Sequence, residues 1–194
     1  MAKKAFEAIL KQKSKELENT INRRLPILIG RKATDFYKDS FRQGGFVNNG
    51  LRPWPETQRQ RTGGKRTAAR YGPLMSERKN LYGSIRYVPG EARVTVGTSV
   101  AYAEIHNQGG TVTSHPTVTP KMRRFAWRQF FEAGGEKTPM APEAAKWKAL
   151  ALTKKKKLDV TAHIPKRQFI GTSKELDNAI RLTIDKEFTN ILKK

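Results

Sequence analysis

The C-terminal stretch most restricts what this chain can fold into. Leu176, Ala179, Ile180, Thr183, Ile184, Phe188 and Ile191 recur at three- and four-residue steps, so they line one face of a helix. Thr172, with Glu175 three residues on, predicts the helix start as a capping box. A helix with a single apolar face must bury it against another layer. The opposite end of the chain offers one. Phe6, Ile9, Leu10, Leu17 and Ile21 share a helical face, with Lys and Glu opposite. Pro26 breaks or bends this run, which resumes through Ile29, Ala33, Phe36, Tyr37 and Phe41 until Gly44-Gly45 stops it.

Between the two ends the pattern changes. Residues 46–80 mix Gly, Pro and Asn with many Arg and Lys and show little periodicity, which predicts a long basic loop or arm. Trp54, set between two prolines, is its expected anchor. "LYGSIRYVP" and "ARVTVGTS" alternate around a turn at Gly90-Glu91 and predict an antiparallel hairpin. "YAEIHNQGGTVT" reads as a third strand interrupted at Gly109-Gly110. Residues 121–134 read as a short amphipathic helix, followed by an insertion with lysines at 154–157. Strand character returns at Val160–Ile164. The expected fold is therefore α+β, with a small antiparallel sheet packed on the N- and C-terminal helices. We read one domain over 1–194: helices to 45, basic loop 46–80, strands 81–120, helical basic insertion 121–157, then strand and helix 158–194.

Composition narrows the chemistry. The formal charge is +22, with 39 Lys and Arg against 17 Asp and Glu, and such a field attracts polyanions. There is no cysteine, so no disulfide framework, thiolate metal site or thiol nucleophile is expected. The N-terminus lacks the apolar core of a secretory signal, and no apolar run is long enough to span a bilayer, so neither secretion nor a membrane is expected. His106, His115 and His163 lack the close spacing of a preformed metal pair. Glu104, two residues before His106, would share its face on a strand, but no serine stands in a nucleophile elbow. "RTGGKRT" lacks the spacer of a phosphate-binding loop, and no dinucleotide fingerprint occurs. The residues predict no enzyme, no cofactor and no metal.

Several stretches, taken in order, resemble the virion morphogenesis proteins of tailed phages, the Mu-like group related to tail-completion and neck proteins. The order is "FYKDSFRQGGF", "GLRPWPE", "GPLMSERKNLYGSIRY", "VTVGTSVAYAEIHNQGG", "IPKRQFIGTS" and a final helix. Tyr102, Ala103, Ile105, His106, Gly109 and Gly110 match one motif of that family; Ile164, Pro165, Arg167, Phe169, Ile170 and Gly171 match another. Tyr82 stands where the family more often has Leu or Arg. Residues 111–160 are longer and more basic than the resemblance covers.

The resemblance implies a non-enzymatic structural protein of the head–tail junction, for tail completion or the neck, built as a ring, commonly sixfold, around the DNA channel. Its implied partners are further copies of itself, neck or head-completion proteins and tail-tube or tail-terminator proteins, with non-specific contact to genomic DNA. Its implied place is the virion, reached from the host cytoplasm during assembly. In this reading Gly109 and Gly110 turn the backbone, and His106 holds that turn through the backbone or Glu104. Pro165 ends strand pairing, Phe169 enters the core, and Arg167 either meets a carboxylate of a neighbouring subunit or faces solvent. The rival reading is a basic nucleic-acid-binding module, with Arg59, Arg61, Lys65, Arg66 and Arg70 on phosphates and Tyr71 stacking.

Overall fold

The computed structural model describes residues 2–57, 60–61, 71–136 and 139–193. They fold as α+β and pack as two compact units, residues 1–110 with 165–194 and residues 111–164. No helix among the described residues is long and apolar enough to cross a membrane.

The first unit opens with helix α1 (Ala2–Asn19), a wide π turn (Thr20–Arg24) and helix α2 (Leu25–Gln43), which run on without a break. Pro26 explains the π turn. Proline has no N–H and its ring displaces the carbonyl four residues back, so the ladder must widen there. That carbonyl belongs to Asn22, and it accepts a bond from the Ala92 N–H at 3.3 Å. The proline thus neither breaks the helix nor leaves an orphan acceptor. Gly44 caps α2 with its N–H on the Ser40 carbonyl.

Residues 46–53, read from sequence as the start of a loop, form with Gly45 a tight antiparallel ribbon of strands β1 (Gly45–Val47) and β2 (Leu51–Pro53). The tripeptide turn between them, with Asn49 and Gly50 both at positive φ, carries the reversal. Next come α3 (Asn80–Ser84) and the hairpin β3 (Arg86–Gly90) with β4 (Arg93–Gly97), paired over five positions. The Leu81 region is therefore helical, and the strand begins only at Arg86. This hairpin lies on α2 at Gly30, where a Cβ would stand 2.3 Å from the Tyr87 ring. Only a glycine allows that approach.

The expected third strand is a correction. Residues 103–108 form helix α4 (Ala103–Gln108), and the strand β5 begins only at Gly110 (Gly110–Ser114). Over six residues alternation and a single helical turn and a half place the same small residues together, and here Ala103 and Asn107, four apart, point inward. Glu104 and His106 consequently lie on different faces, and no bond joins them.

The last helix of this unit is α7 (Lys174–Leu192). Its cap is Ser173 rather than Thr172: the Ser173 hydroxyl accepts the Leu176 N–H at 3.2 Å. Glu175 instead accepts the Gly50 N–H at 2.9 Å. The apolar stripe of α7 is buried or half-buried throughout and packs on α2 and α1. The core of this unit gathers Ala33, Tyr37 and Phe41 of α2 with Phe46, Trp54, Leu81, Ile85, Phe169 and Leu176.

The second unit holds most of β5, then α5 (Pro120–Glu132), α6 (Pro142–Leu152) and β6 (Val160–Ile164). The two helices pack together through buried Ala126, Phe130, Ala144 and Ala151, and Phe125 meets Trp147 edge-on at 5.8 Å. Strand β6 pairs with β5, so the strands form three separate two-stranded ribbons and no larger sheet among the described residues.

Candidate functional site

The two motifs, about sixty residues apart in sequence, close on each other within the first unit. Helix α4 presents the first. Its last turn ends at Gly109, φ 77° and ψ 174°, a backbone region open in practice to glycine alone. A Cβ there would sit 2.8 Å from the Lys166 backbone nitrogen. The glycine therefore serves both the bend and the close passage of the second motif. The His106 carbonyl accepts the Arg167 N–H at 2.8 Å.

Asn107 completes the clasp. Its Oδ1 accepts the N–H groups of Phe169 (2.8 Å) and Ile170 (3.0 Å), and its Nδ2 donates to the Ile170 carbonyl (3.0 Å). One carboxamide thus substitutes for a neighbouring strand along residues 169–170, which have no ladder of their own. From the other side the Trp54 indole N–H donates to the Gln168 carbonyl at 2.7 Å, and the Tyr37 hydroxyl donates to the Gly171 carbonyl at 3.0 Å. Burial pushes the Tyr37 phenol above its ordinary value, so it remains a donor.

Arg167 is only 6 % exposed. Its Nε donates to the Pro55 carbonyl at 2.9 Å and its Nη2 to the Glu56 carbonyl at 3.2 Å. The side chain does not face solvent, one of its two sequence expectations, and its guanidinium is engaged on its own chain's backbone. It fastens the segment after Trp54 to the second motif. Phe169, 1 % exposed, inserts its ring beside Phe41 at 5.3 Å between centroids. Pro165 follows the last residue of β6, and Ile105 reaches Gly110 closely enough that a Cβ there would touch its Cδ1. Tyr102, 46 % exposed, meets the His106 ring edge-on at 5.8 Å.

The His106 side chain does not tie the turn. Its Nδ1 is buried with no hydrogen-bond partner among the described residues. Burial first, and the Arg167 charge second, lower its pKa below 6.5. Between that lowered value and the ordinary one the unfolded chain binds a proton that the folded chain does not. Stability is then full above about pH 6.5 and falls as the pH drops toward the native value. Thermal unfolding scanned from pH 8 to pH 5 should show this decline, and His106→Gln should flatten that part of the profile. An unchanged slope in the variant would assign the decline to other groups.

Each polar side chain of the clasp other than His106 binds backbone of the same chain. A cleft of about 370 Å3 lined by Thr57, Met75, Ser76, Tyr102, His106 and Arg167 lies beside it, with no carboxylate among the described residues that line it. A larger cleft, about 670 Å3, lies elsewhere, between the π turn and the β3–β4 turn, and its lining includes Lys15, Glu18, Arg23 and Glu91. Among the described residues no three metal-ligating side chains come together. His115 pairs with Asp159 at 2.8 Å on the second unit's exposed surface.

Of the basic residues proposed for polyanion contact, Arg61 is exposed, while Arg59, Lys65, Arg66 and Arg70 lie outside the described residues. Tyr71 is half-buried. The residue that sequence reasoning passed over is Asn107. Its signal was its position between His106 and Gly109, inside one motif, as a side chain that both donates and accepts.

Comparison with curated proteins and with solved structures returns no significant match. A model of the phage virion morphogenesis family, in contrast, matches residues 6–189, nearly the whole chain and both halves of the clasp. The chain belongs to the phage virion morphogenesis family.

Proposed function

We propose that this protein is a structural component of the head–tail junction of a tailed phage, a tail-completion or neck protein that assembles as a ring of about six copies around the DNA channel. Membership of a virion morphogenesis family supports a structural role in the particle rather than a catalytic one. The observation that carries the reading further is the division of labour in the first unit. The motif side chains are largely consumed in holding backbone, which leaves recognition to the outer surfaces.

One of those surfaces is the first half of α1. Phe6, Ile9 and Leu10, at i, i+3 and i+4, are 61 %, 55 % and 53 % exposed, and residues 3–12 carry no buried side chain. An exposed apolar stripe on this end of the helix suits an assembly contact. A ring places the same patch against a different patch of the next copy, closing after a fixed rotation. Neck, head-completion, tail-tube or terminator proteins would meet its two open faces.

Deleting the gene from the phage tests the reading. Separate filled heads and tails, joined again when the wild-type chain is supplied in trans, are expected. Joined and infectious particles without this chain would contradict it.

A further inference from the structure

Residues 111–164 are the part of the chain that the two motifs leave without a role. They contain eleven Lys and Arg against four Asp and Glu. Four of the lysines, 154–157, are consecutive and all exposed. Such a run would ordinarily be a solvated loop, its like charges repelling one another. Here the backbone is held. The Lys155 N–H donates to the Thr153 hydroxyl at 3.3 Å. The Lys156 carbonyl accepts the Val118 N–H at 2.8 Å, Lys157 bridges Thr117, and the Leu158 N–H donates to the Pro116 carbonyl at 3.0 Å. The lysine row thus continues the β5–β6 ribbon as a paired edge.

No neutralising partner accompanies it. None of the four ammonium groups makes an ion pair or hydrogen bond among the described residues. The nearest carboxylate in sequence, Asp159, is taken by His115. On the same unit, Lys121 and Arg124 lie one turn apart on the exposed side of α5, and Lys146 and Lys148 are exposed on α6. Ordering four adjacent positive charges without a counter-charge costs free energy that an external polyanion would return.

We propose that residues 111–164 bind duplex DNA through its phosphates, with Lys154, Lys155, Lys156 and Lys157 as the principal contacts. The chemistry favours phosphate over an acidic protein face. Lysine is depleted at protein–protein contacts, whose centres are apolar, and β5 and β6 beside the run expose mainly Thr, Val, Ser and His. Lysine is also a point-charge binder of phosphate, suited to a row of anions without fixed orientation. Four flexible ammonium groups track the regular spacing of phosphates, which carry no base identity, so binding is independent of sequence. The proposal gives a partner to the ring around the DNA channel proposed above and rests on that reading for its setting. Its measurement uses the isolated protein, so either can fail without the other.

The test is anisotropy of a labelled mixed-sequence duplex with the full chain across a salt series. The wild type is compared with K154Q/K155Q/K156Q/K157Q and with a control of equal charge loss, K3Q/K4Q/K11Q/K15Q on the exposed side of α1. Each phosphate contact contributes about 0.9 to the slope of log affinity against log salt. The ribbon variant should lose about 3.6 from that slope, and the control less than about 1. Equal losses would reduce the effect to overall charge, and no loss would remove the ribbon from the interface; both overturn the proposal. A ribbon variant that loses poly-glutamate binding while keeping DNA binding would also overturn it, in favour of an acidic protein. Near-ultraviolet dichroism of Trp127 and Trp147 monitors folding. If the quadruple variant is misfolded, K154Q/K155Q and K156Q/K157Q divide the loss and are read in the same way.

Discussion

Phe169→Ala should destabilise the protein by about 3–5 kcal/mol, seen as a lowered denaturant midpoint with an unchanged m-value. The ring is 1 % exposed and sits among Phe41, Trp54, Leu81 and Ile85, so its removal opens a cavity that rigid neighbours cannot fill. Two of those neighbours are themselves fixed. Trp54 is held by its bond to Gln168 and by edge-on contact with Phe41 at 5.4 Å between centroids. The core therefore has little freedom to collapse, which places the cost toward the upper part of the range. Phe169→Leu keeps most of the volume and should recover more than half of the loss. A loss under about 1 kcal/mol for the alanine variant would mean that the second motif does not enter the core.

Asn107→Ala should cost about 3 kcal/mol, although the side chain removed is small and polar. Its loss leaves two N–H groups and one carbonyl of residues 169–170 without their partner. Each such group costs about 1–3 kcal/mol when buried, and the lower figure applies because the site is partly exposed. Asn107→Asp separates this account from simple packing. Aspartate keeps the two accepted bonds but sets an oxygen against the Ile170 carbonyl, so it should be less damaging than alanine. Equal losses for the two variants would show that the carboxamide's bonding pattern is irrelevant.

Both variants act on a feature that chain pattern does not display. The terminal helices were legible because their apolar positions repeat over many turns, enough to exclude a strand period. The β3–β4 hairpin was legible for the same reason, with a turn signal between two alternating runs. Residues 103–108 were not. Over so short a stretch, Ala103, Ile105 and Asn107 satisfy a strand, and Ala103 with Asn107 satisfies a helix. Only the partner across the fold decides, and that partner lies beyond the whole second unit.

The motif residues were visible as a set, but their roles were not. Arg167 carries a charge and so reads as a surface group, yet its guanidinium is buried on two carbonyls of the segment after Trp54. His106 draws attention as a chemical group, yet its carbonyl makes the tie and its Nδ1 has no hydrogen-bond partner among the described residues. The cap of the last helix shifted by one residue because Ser173 and Thr172 are equivalent in type and only the backbone angle separates them. The π turn at Thr20–Arg24 follows from Pro26, but that the helix would continue depended on Ala92 reaching the Asn22 carbonyl from another element.

The two motifs form one closed backbone clasp which fixes the fold. Native-state hydrogen exchange at the Arg167, Phe169 and Ile170 amides tests it most directly. The account predicts that these three exchange only through global unfolding, with the same protection as the middle of α2, and that Asn107→Ala releases the amides of 169 and 170 in particular. Exchange of the three in wild type as fast as at the exposed ribbon residues Thr113 and Thr161 would contradict it.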